Sequence, residues 1–288
     1  MAKTYNELYM EMRRRLREEG IESYAPETRW LLQSAAECSD AQLTARMSLY
    51  VPEATERKAL FMLRRRLAGE PVAYITGIWQ FYGLTMFVTP DVLIPRMDTE
   101  LLVTKALELV DHKADARILD LCCGSGCIGC ALAHELPQSR VILADISQEA
   151  LTVARKNVSL LRLSPRCVCM TADALSDPPV RMENFDLLAC NPPYIPAGEI
   201  DELDDSVRCF EPTLALDGGE DGLVFYRAVL PHWKSVLRDD GAVIFEVGEG
   251  EADSVCTLLA ENGFGSIGKA TDTLGVERVV FGRKLPSE

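Results

Sequence analysis

The 288-residue chain carries 30 basic and 44 acidic side chains, a net charge of −14, with 48% apolar and 26% charged residues. These proportions belong to a globular protein and exclude long disorder or a collagen-like repeat. The acidity speaks against a protein that holds nucleic acid through its phosphates, because that task needs a basic surface. The charge is uneven: residues 1–77 hold 12 basic and 11 acidic side chains, and the rest hold 18 and 33. That shift predicts two units.

Taken in chain order, the first 70 residues read as helices. Leu8, Met12 and Leu16 recur at helical spacing, with Gly20 as a stop. A second helix opens near Pro26 and carries Trp30, Leu31 and Leu32. A third runs from about Pro52 to Gly69 through Leu60, Phe61, Leu63 and Leu67. The runs Arg13–Arg15 and Arg64–Arg66 read as solvated helix faces, with contact to an acidic partner as the alternative. Residues 71–90 carry no charge, a length that could span a bilayer. Gln80, the threonines, the glycines and alternation such as Tyr74/Thr76 and Met86/Val88 predict strands instead, turning near Tyr82-Gly83.

From residue 98 helices and strands alternate. Helices are expected at 98–110, 127–136, 148–161, 223–237 and 251–261. Strands are expected at 117–121, 140–144, 166–170, 185–190, 242–247, 264–270 and 277–281. Such alternation implies an α/β protein with a doubly wound, mostly parallel, seven-stranded sheet. The last two strands lack a crossover helix and should pair antiparallel. The expected division is a helical unit over 1–77, a β-hairpin linker over 78–95 and an α/β domain over 96–288.

The start Met-Ala-Lys-Thr-Tyr-Asn-Glu has no apolar core of a secretory signal. The ten cysteines are therefore expected as free thiols in the cytoplasm. Cys122, Cys123, Cys127 and Cys130 include a C-x-x-C, but no second pair follows at zinc-finger spacing, and no metal is expected.

Two segments carry chemistry. Strand 117–121 runs into Asp120-Leu-Cys122-Cys123-Gly124-Ser125-Gly126 and then a helix. Such a Gly-rich turn lets backbone N–H groups approach a ligand. Asp145, 21 residues beyond Gly124, ends the next strand, where an acid can accept both hydroxyls of a ribose. The frame Gly124-x-Gly126-x-x-Gly129 keeps NAD open as a ligand. Asp120 favours a cationic sulfonium over a pyrophosphate, which a nearby carboxylate repels. The second segment is Asn191-Pro192-Pro193-Tyr194 after an apolar strand. Two prolines stiffen the backbone and remove two N–H donors. The Asn191 oxygen and the Pro192 carbonyl then form a rigid double acceptor for an NH₂ group, with Tyr194 as a flat wall.

These segments resemble class I S-adenosylmethionine-dependent methyltransferases that act on planar NH₂ groups. Within that class the chain is similar to the release factor glutamine methyltransferases, the HemK/PrmC family. Asn-Pro-Pro-Tyr is shared with adenine-N6 DNA methyltransferases. Leu93-Ile-Pro-Arg-Met-Asp-Thr-Glu100 and Phe210-Glu-Pro-Thr-Leu-Ala-Leu-Asp-Gly-Gly-Glu-Asp-Gly-Leu223 make the likeness more specific. The resemblance implies that Asp120 and Cys122–Gly126 lie against the methionine part of S-adenosylmethionine and that Asp145 holds its ribose. Asp173 and Ala174 would lie near the adenine, and Asn191 near both cofactor and substrate. The substrate implied is the glutamine of Gly-Gly-Gln in peptide chain release factors, gripped by Asn191 and Pro192 beside Pro193 and Tyr194. The helical unit would dock the factor. Nucleic acid and membrane are not expected partners. Cys122, Met97 and Ala174 stand where the family usually has Gly, Pro and often an aromatic. The rivals are a DNA adenine methyltransferase, a non-catalytic release-factor-binding relative and an NAD enzyme. His112, His134 and His232 lie outside both segments, and no Ser-His-Asp or Cys-His set is visible.

Overall fold

Thr4 starts the first helix by a reciprocal cap: its hydroxyl accepts from the Glu7 N–H at 3.2 Å, and the Glu7 carboxylate accepts from the Thr4 N–H at 2.7 Å. The same device at Ser39 and Gln42 starts a helix that periodicity alone misses. The computed structural model describes all residues except 1, 112, 114, 287 and 288. It divides into two units, Met1–Ile78 with Asp205–Phe210, and Trp79–Asp204 with Glu211–Glu288.

The first unit contains α1 (Tyr5–Glu18), α2 (Tyr24–Ala36), α3 (Asp40–Arg46), α4 (Glu53–Leu67) and α5 (Val72–Thr76). Leu8, Met12, Leu16, Leu31, Leu32, Leu43 and Leu63 are wholly buried among them. Their burial is the driving force for a bundle whose separate helices would be marginal. The arginine runs are partly engaged: Arg14 pairs with Glu18, and Arg66 with the buried Glu27 at 2.6 Å. Arg65 pairs with Glu70. Residues 74–76, expected as strand, are helical. Pro71 presets the first turn, and Gly77 ends it in the left-handed region at φ 74°.

The second unit opens with a hairpin, β1 (Ile78–Phe81) and β2 (Leu84–Phe87). Its turn sits on Tyr82 and Gly83, both at positive φ, as a two-residue hairpin turn demands. Phe81, Leu84 and Met86 are buried in the same core as the following helix, α6 (Thr99–Val110). Then come β3 (Arg117–Leu121), α7 (Cys127–Glu135), β4 (Arg140–Asp145), α8 (Gln148–Leu160), β5 (Cys167–Thr171) and β6 (Phe185–Cys190). The single turn α9 (Asp205–Arg208) clusters with the first unit. The chain closes with α10 (Val224–Trp233), β7 (Leu237–Glu246), α11 (Ala252–Glu261), β8 (Phe264–Thr271) and β9 (Glu277–Lys284).

The sheet order is β5-β4-β3-β6-β7-β9-β8. All pairs are parallel except those made by β9, which runs antiparallel to β7 and β8. The expected doubly wound sheet with an antiparallel close is thus present. Some boundaries differ: the helix expected over 223–237 ends at Trp233, the last strand runs on to Lys284, and β7 begins at Leu237, not Ala242. Leu237 pairs with Phe185, Ala242 resumes the ladder at Leu187, and the polar Arg238-Asp-Asp-Gly stretch bulges between them. One face of the sheet packs on α6, α7 and α8 and the other on α10 and α11. With both faces covered, β6 is buried at every position. Strand order reverses between β3 and β6, so a crevice opens beyond their carboxyl ends, where such sheets take ligands. Both chemistry-bearing segments start there. No described helix is long and apolar enough to cross a membrane.

Candidate active site

The loop after β3 is held by carboxylates that accept from its backbone. Asp120 is wholly buried, and its Oδ2 accepts from the Gly129 N–H in the first turn of α7 at 2.8 Å. Its Oδ1 has no hydrogen-bond partner. Burial pushes the Asp120 carboxyl up to about 7; the Gly129 N–H opposes this and the charge of Asp145 adds to it. Asp120 therefore braces the helix against its strand. A Cβ at Gly129 would lie 2.2 Å from Leu143 Cδ2 and 2.9 Å from the Asp120 Oδ2, so only glycine fits that brace.

Cys122 sits at φ 58°, a left-handed conformation that costs a non-glycine residue about 1–3 kcal/mol. This is the physical reason a glycine is the easier residue at that position. Cys123 is buried and its N–H donates to the Ala144 carbonyl at 3.0 Å. Gly124, at φ 52°, donates its N–H to Asp145 Oδ2 at 2.8 Å, and a Cβ there would meet nothing within 4 Å. The Gly126 N–H closes the turn on the Cys123 carbonyl at 2.7 Å. Ser125 is buried, and its carbonyl accepts from Asn157 Nδ2 at 2.9 Å. Asn157 also pairs with both backbone groups of Phe87, so this one buried amide ties α8, the β2 end and the glycine loop together.

Asp145 ends β4. Each of its oxygens accepts one N–H, from Ser147 at 2.9 Å and from Gly124 at 2.8 Å, leaving further lone pairs on both. Burial raises its carboxyl, and the N–H groups of Ser147, Gly124 and Ile146 offset part of the rise. Asp173 and Ala174 follow β5, one strand further out. The Asp173 oxygens accept from the Leu175 N–H and the Ser176 hydroxyl. The Ala174 side chain is in the core, and its carbonyl accepts from Trp233 Nε1 at 3.2 Å. The oxygens of Asp173, like those of Asp145, each accept one local bond, and Ala174 keeps its side chain in the core.

After β6, Asn191 donates its Nδ2 to the Thr99 hydroxyl at 3.4 Å, which leaves Oδ1 turned to other partners. Pro192 and Pro193 are buried. The Tyr194 hydroxyl donates to Glu246 Oε1 at 3.3 Å. Burial and then the Glu246 charge push the tyrosine well above its usual value. Glu246, at the end of β7, is itself pushed up to about 7 by burial. The segments that flank this turn in sequence meet in space. Glu211 accepts from the Ile94 N–H at 3.2 Å and pairs with Arg96 at 2.5 Å. A Cβ on Gly218 would stand 2.7 Å from the Tyr194 backbone, and one on Gly222 2.5 Å from the Tyr194 carbonyl oxygen. Gly218 and Gly222 thus let this loop pack directly on Asn-Pro-Pro-Tyr. Met97 is 82% exposed, so its departure from proline perturbs no packing.

The residues singled out from sequence fall on adjacent strand ends, with Leu121 of β3 in register with Cys190 of β6. Thr99, Asn157 and Glu246 join them without having been singled out. Thr99 lies inside the 93–100 segment, but nothing in that segment marks its role. His134 is exposed and His232 contacts Asp177, away from both loops, while His112 lies outside the described residues. Among the described residues no three His, Cys, Asp or Glu side chains are grouped to hold a metal.

Comparison with known proteins places this geometry in a family. Residues 97–205 match the methyltransferase small domain, and residues 7–77 match the PrmC N-terminal domain. A release factor glutamine methyltransferase of Geobacter sulfurreducens is 39% identical over 93% of this chain and 92% of its own length. One of Moorella thermoacetica is 41% identical over 85% and 86%. Among solved structures, the hMettl16 catalytic domain in complex with the MAT2A 3'UTR hairpin 6 superposes with a TM-score of 0.57. It is 16% identical and covers 81% of this chain and 84% of that one. A methyltransferase from Pyrococcus furiosus gives a TM-score of 0.50 at 14% identity, covering 81% of this chain and all of that one. The two structures show a shared fold. The sequence relatives show more: this chain belongs to the release factor glutamine methyltransferase family.

Proposed function

We propose that the chain transfers a methyl group from S-adenosylmethionine to the side-chain amide nitrogen of the glutamine in the Gly-Gly-Gln motif of peptide chain release factors, in the cytoplasm. The observation that carries this reading is the Asn191 amide. Its NH₂ is turned to Thr99 and its Oδ1 is left as an acceptor, beside two prolines that offer no donor. A substrate NH₂ meets acceptors only.

The residues around the glycine loop fit the cofactor. Gly124 borders open space, and the Asp145 oxygens keep lone pairs for a diol. In this reading Asp145 holds the ribose, Cys122–Gly126 face the methionine part and Asp173 borders the adenine. Asp120 acts by bracing the loop. When bound, S-adenosylmethionine supplies a methyl group on a sulfonium, whose leaving group is a neutral thioether.

An amide nitrogen is a poor nucleophile because its lone pair is delocalised. Asn191 Oδ1 and the Pro192 carbonyl accept its two N–H bonds and fix its orientation, with Pro193 keeping the turn rigid and Tyr194 alongside. Alignment of this kind supplies about 7–11 kcal/mol in favourable cases. The same two carbonyl dipoles stabilise positive charge as it grows on nitrogen. The proton leaves afterwards, so the site needs no dedicated base. The helical unit docks the body of the release factor. An intact factor should accordingly be modified with a lower KM than a peptide carrying Gly-Gly-Gln alone.

The test is transfer of labelled methyl to a purified release factor, beside its Gly-Gly-Ala variant and a duplex DNA. Label on the wild-type factor alone is expected. Label on DNA would establish the adenine-N6 reading, which the acidity of residues 78–288 disfavours. No label on any of them would point to a non-catalytic relative.

A further inference from the structure

Asn157 lies in the last turn of α8 and is wholly buried. A buried side-chain amide is costly unless its donors and its acceptor are met. Here all are met. Its Oδ1 accepts from the Phe87 N–H at 2.6 Å, and its Nδ2 donates to the Phe87 carbonyl and to the Ser125 carbonyl, both at 2.9 Å. These partners leave the amide one orientation, because an N–H demands the oxygen and two carbonyls demand the NH₂. Towards Phe87 the side chain stands in for a strand residue, exchanging both hydrogen bonds with the last residue of β2.

The bond to Ser125 acts on a single peptide unit of the glycine loop. The Ser125 carbonyl and the Gly126 N–H share one plane and point in opposite directions. Asn157 holds the carbonyl, and the Cys123 carbonyl takes the N–H at 2.7 Å, so the plane is fixed at both edges. Gly126 follows at φ 78°, and a glycine offers little resistance to rotation of the peptide before it. The same helix supports the loop beside this bond. A Cβ on Gly126 would lie 3.3 Å from the Ala154 Cβ, and Ala154 and Asn157 are three residues apart on one face of α8. At Gly124 the loop stays open, since a Cβ there would meet nothing within 4 Å.

We propose that Asn157 is a positioning residue for S-adenosylmethionine: it locks the Ser125–Gly126 peptide to the end of β2, so that the glycine loop holds its binding conformation before the cofactor arrives. Prior ordering of this kind raises affinity, because the loop has less freedom left to lose on binding. The inference rests on the glycine loop as the seat of the cofactor's methionine part. Asn157 touches neither cofactor nor substrate in this scheme. It sets how tightly the cofactor is held and leaves the transfer step alone.

The experiment measures the S-adenosylmethionine Kd of the full chain by calorimetry for wild type, Asn157→Ala, Asn157→Asp and Val158→Ala. Asn157→Ala should raise Kd about tenfold, the worth of one buried hydrogen bond. Its kcat at saturating cofactor should stay within about threefold, a split that loss of the transfer machinery would not give. Asn157→Asp keeps the shape and the acceptor for Phe87 but sets an oxygen against two carbonyls, so its Kd should rise at least as far; a role in packing alone would leave it near wild type. Val158→Ala removes packing from the same helix and leaves the three amide bonds in place. It should lower stability to urea with Kd within about twofold. In the wild-type chain without cofactor, the Phe87 and Gly126 amide hydrogens should already exchange slowly, a reading that stands even if the Asn157 variants do not fold. An unchanged Kd in Asn157→Ala, wild-type binding by Asn157→Asp, an equal loss in Val158→Ala, or amides protected only once cofactor is bound would each overturn the proposal. A wild-type chain that binds no cofactor, or an unchanged Kd in Asp145→Ala, would instead remove the loop assignment beneath it.

Discussion

The loops that leave β3 and β6 stand side by side and are made rigid by opposite means. The glycine loop is held through its own N–H groups: Gly124 on Asp145, Gly129 on Asp120, Gly126 on Cys123. The Asn-Pro-Pro-Tyr turn has given up two N–H groups to proline. It is held through side chains, with Asn191 on Thr99 and Tyr194 on Glu246. The first loop keeps glycine at position 124, where the backbone borders open space. The second keeps glycine in its neighbours, Gly218 and Gly222, so that they can come close to it. The difference follows from what each must present. In the proposed reading the glycine loop spends N–H groups on its own frame so that its backbone can approach the cofactor, and the turn keeps few N–H groups to compete with its acceptors.

This contrast can be broken at either loop. The largest effect is expected at the acceptor turn. Asn191→Ala should lower transfer by about 10³-fold, as loss of one preorganised polar contact to the reacting group does elsewhere. Calorimetry should find cofactor binding nearly unchanged, and a variant with near-normal turnover would refute the role of Asn191. At the donor loop, Asp145→Ala should weaken cofactor binding by about 10- to 100-fold, the value of one to two charge-assisted hydrogen bonds. An unaltered dissociation constant would refute the ribose assignment.

A smaller effect sharpens the comparison through pH. The Asp120 carboxyl is pushed up to about 7 in the folded protein by burial. Its unfolded value is about 4, so the folded state holds the proton more tightly and loses stability as pH rises through that interval. Asp120→Asn keeps an acceptor for Gly129 and carries no charge. From pH 5 to pH 8 the variant should gain about 2–3 kcal/mol relative to wild type, read by urea unfolding at each pH. A difference that does not change with pH would show that Asp120 is ionised throughout.

The two loops also differ in how far they could be read from the chain. Gly124 and Asp145 are 21 residues apart, one strand–helix–strand unit, and Asp120 and Gly129 are nine apart. Separations of that size are set by the βαβ repeat itself, so the spacing already carried the geometry. Tyr194 and Glu246 are 52 apart, and Asn191 and Thr99 are 92 apart. Asn157 reaches Phe87 across 70 residues. No local pattern announces such pairs. Glu246 ends a strand that reads as any buried strand, and Thr99 opens a helix as an ordinary polar residue.

The same division holds for the fold. Sequence by itself determined the seven strands, the antiparallel close, the hairpin turn at Tyr82-Gly83 and the placement of both motifs at strand ends. Hydrophobic period and turn residues are properties of short windows. It did not determine α3, the helical turn at 72–76 or the start of β7 at Leu237, ahead of a bulge. Capping, a proline-preset turn and register against β6 settle those, and the last needs the partner strand. Only the tertiary structure decided the polarity of Asn191. An amide can turn either face outward, and here its Nδ2 is engaged by the Thr99 hydroxyl brought beside it from α6.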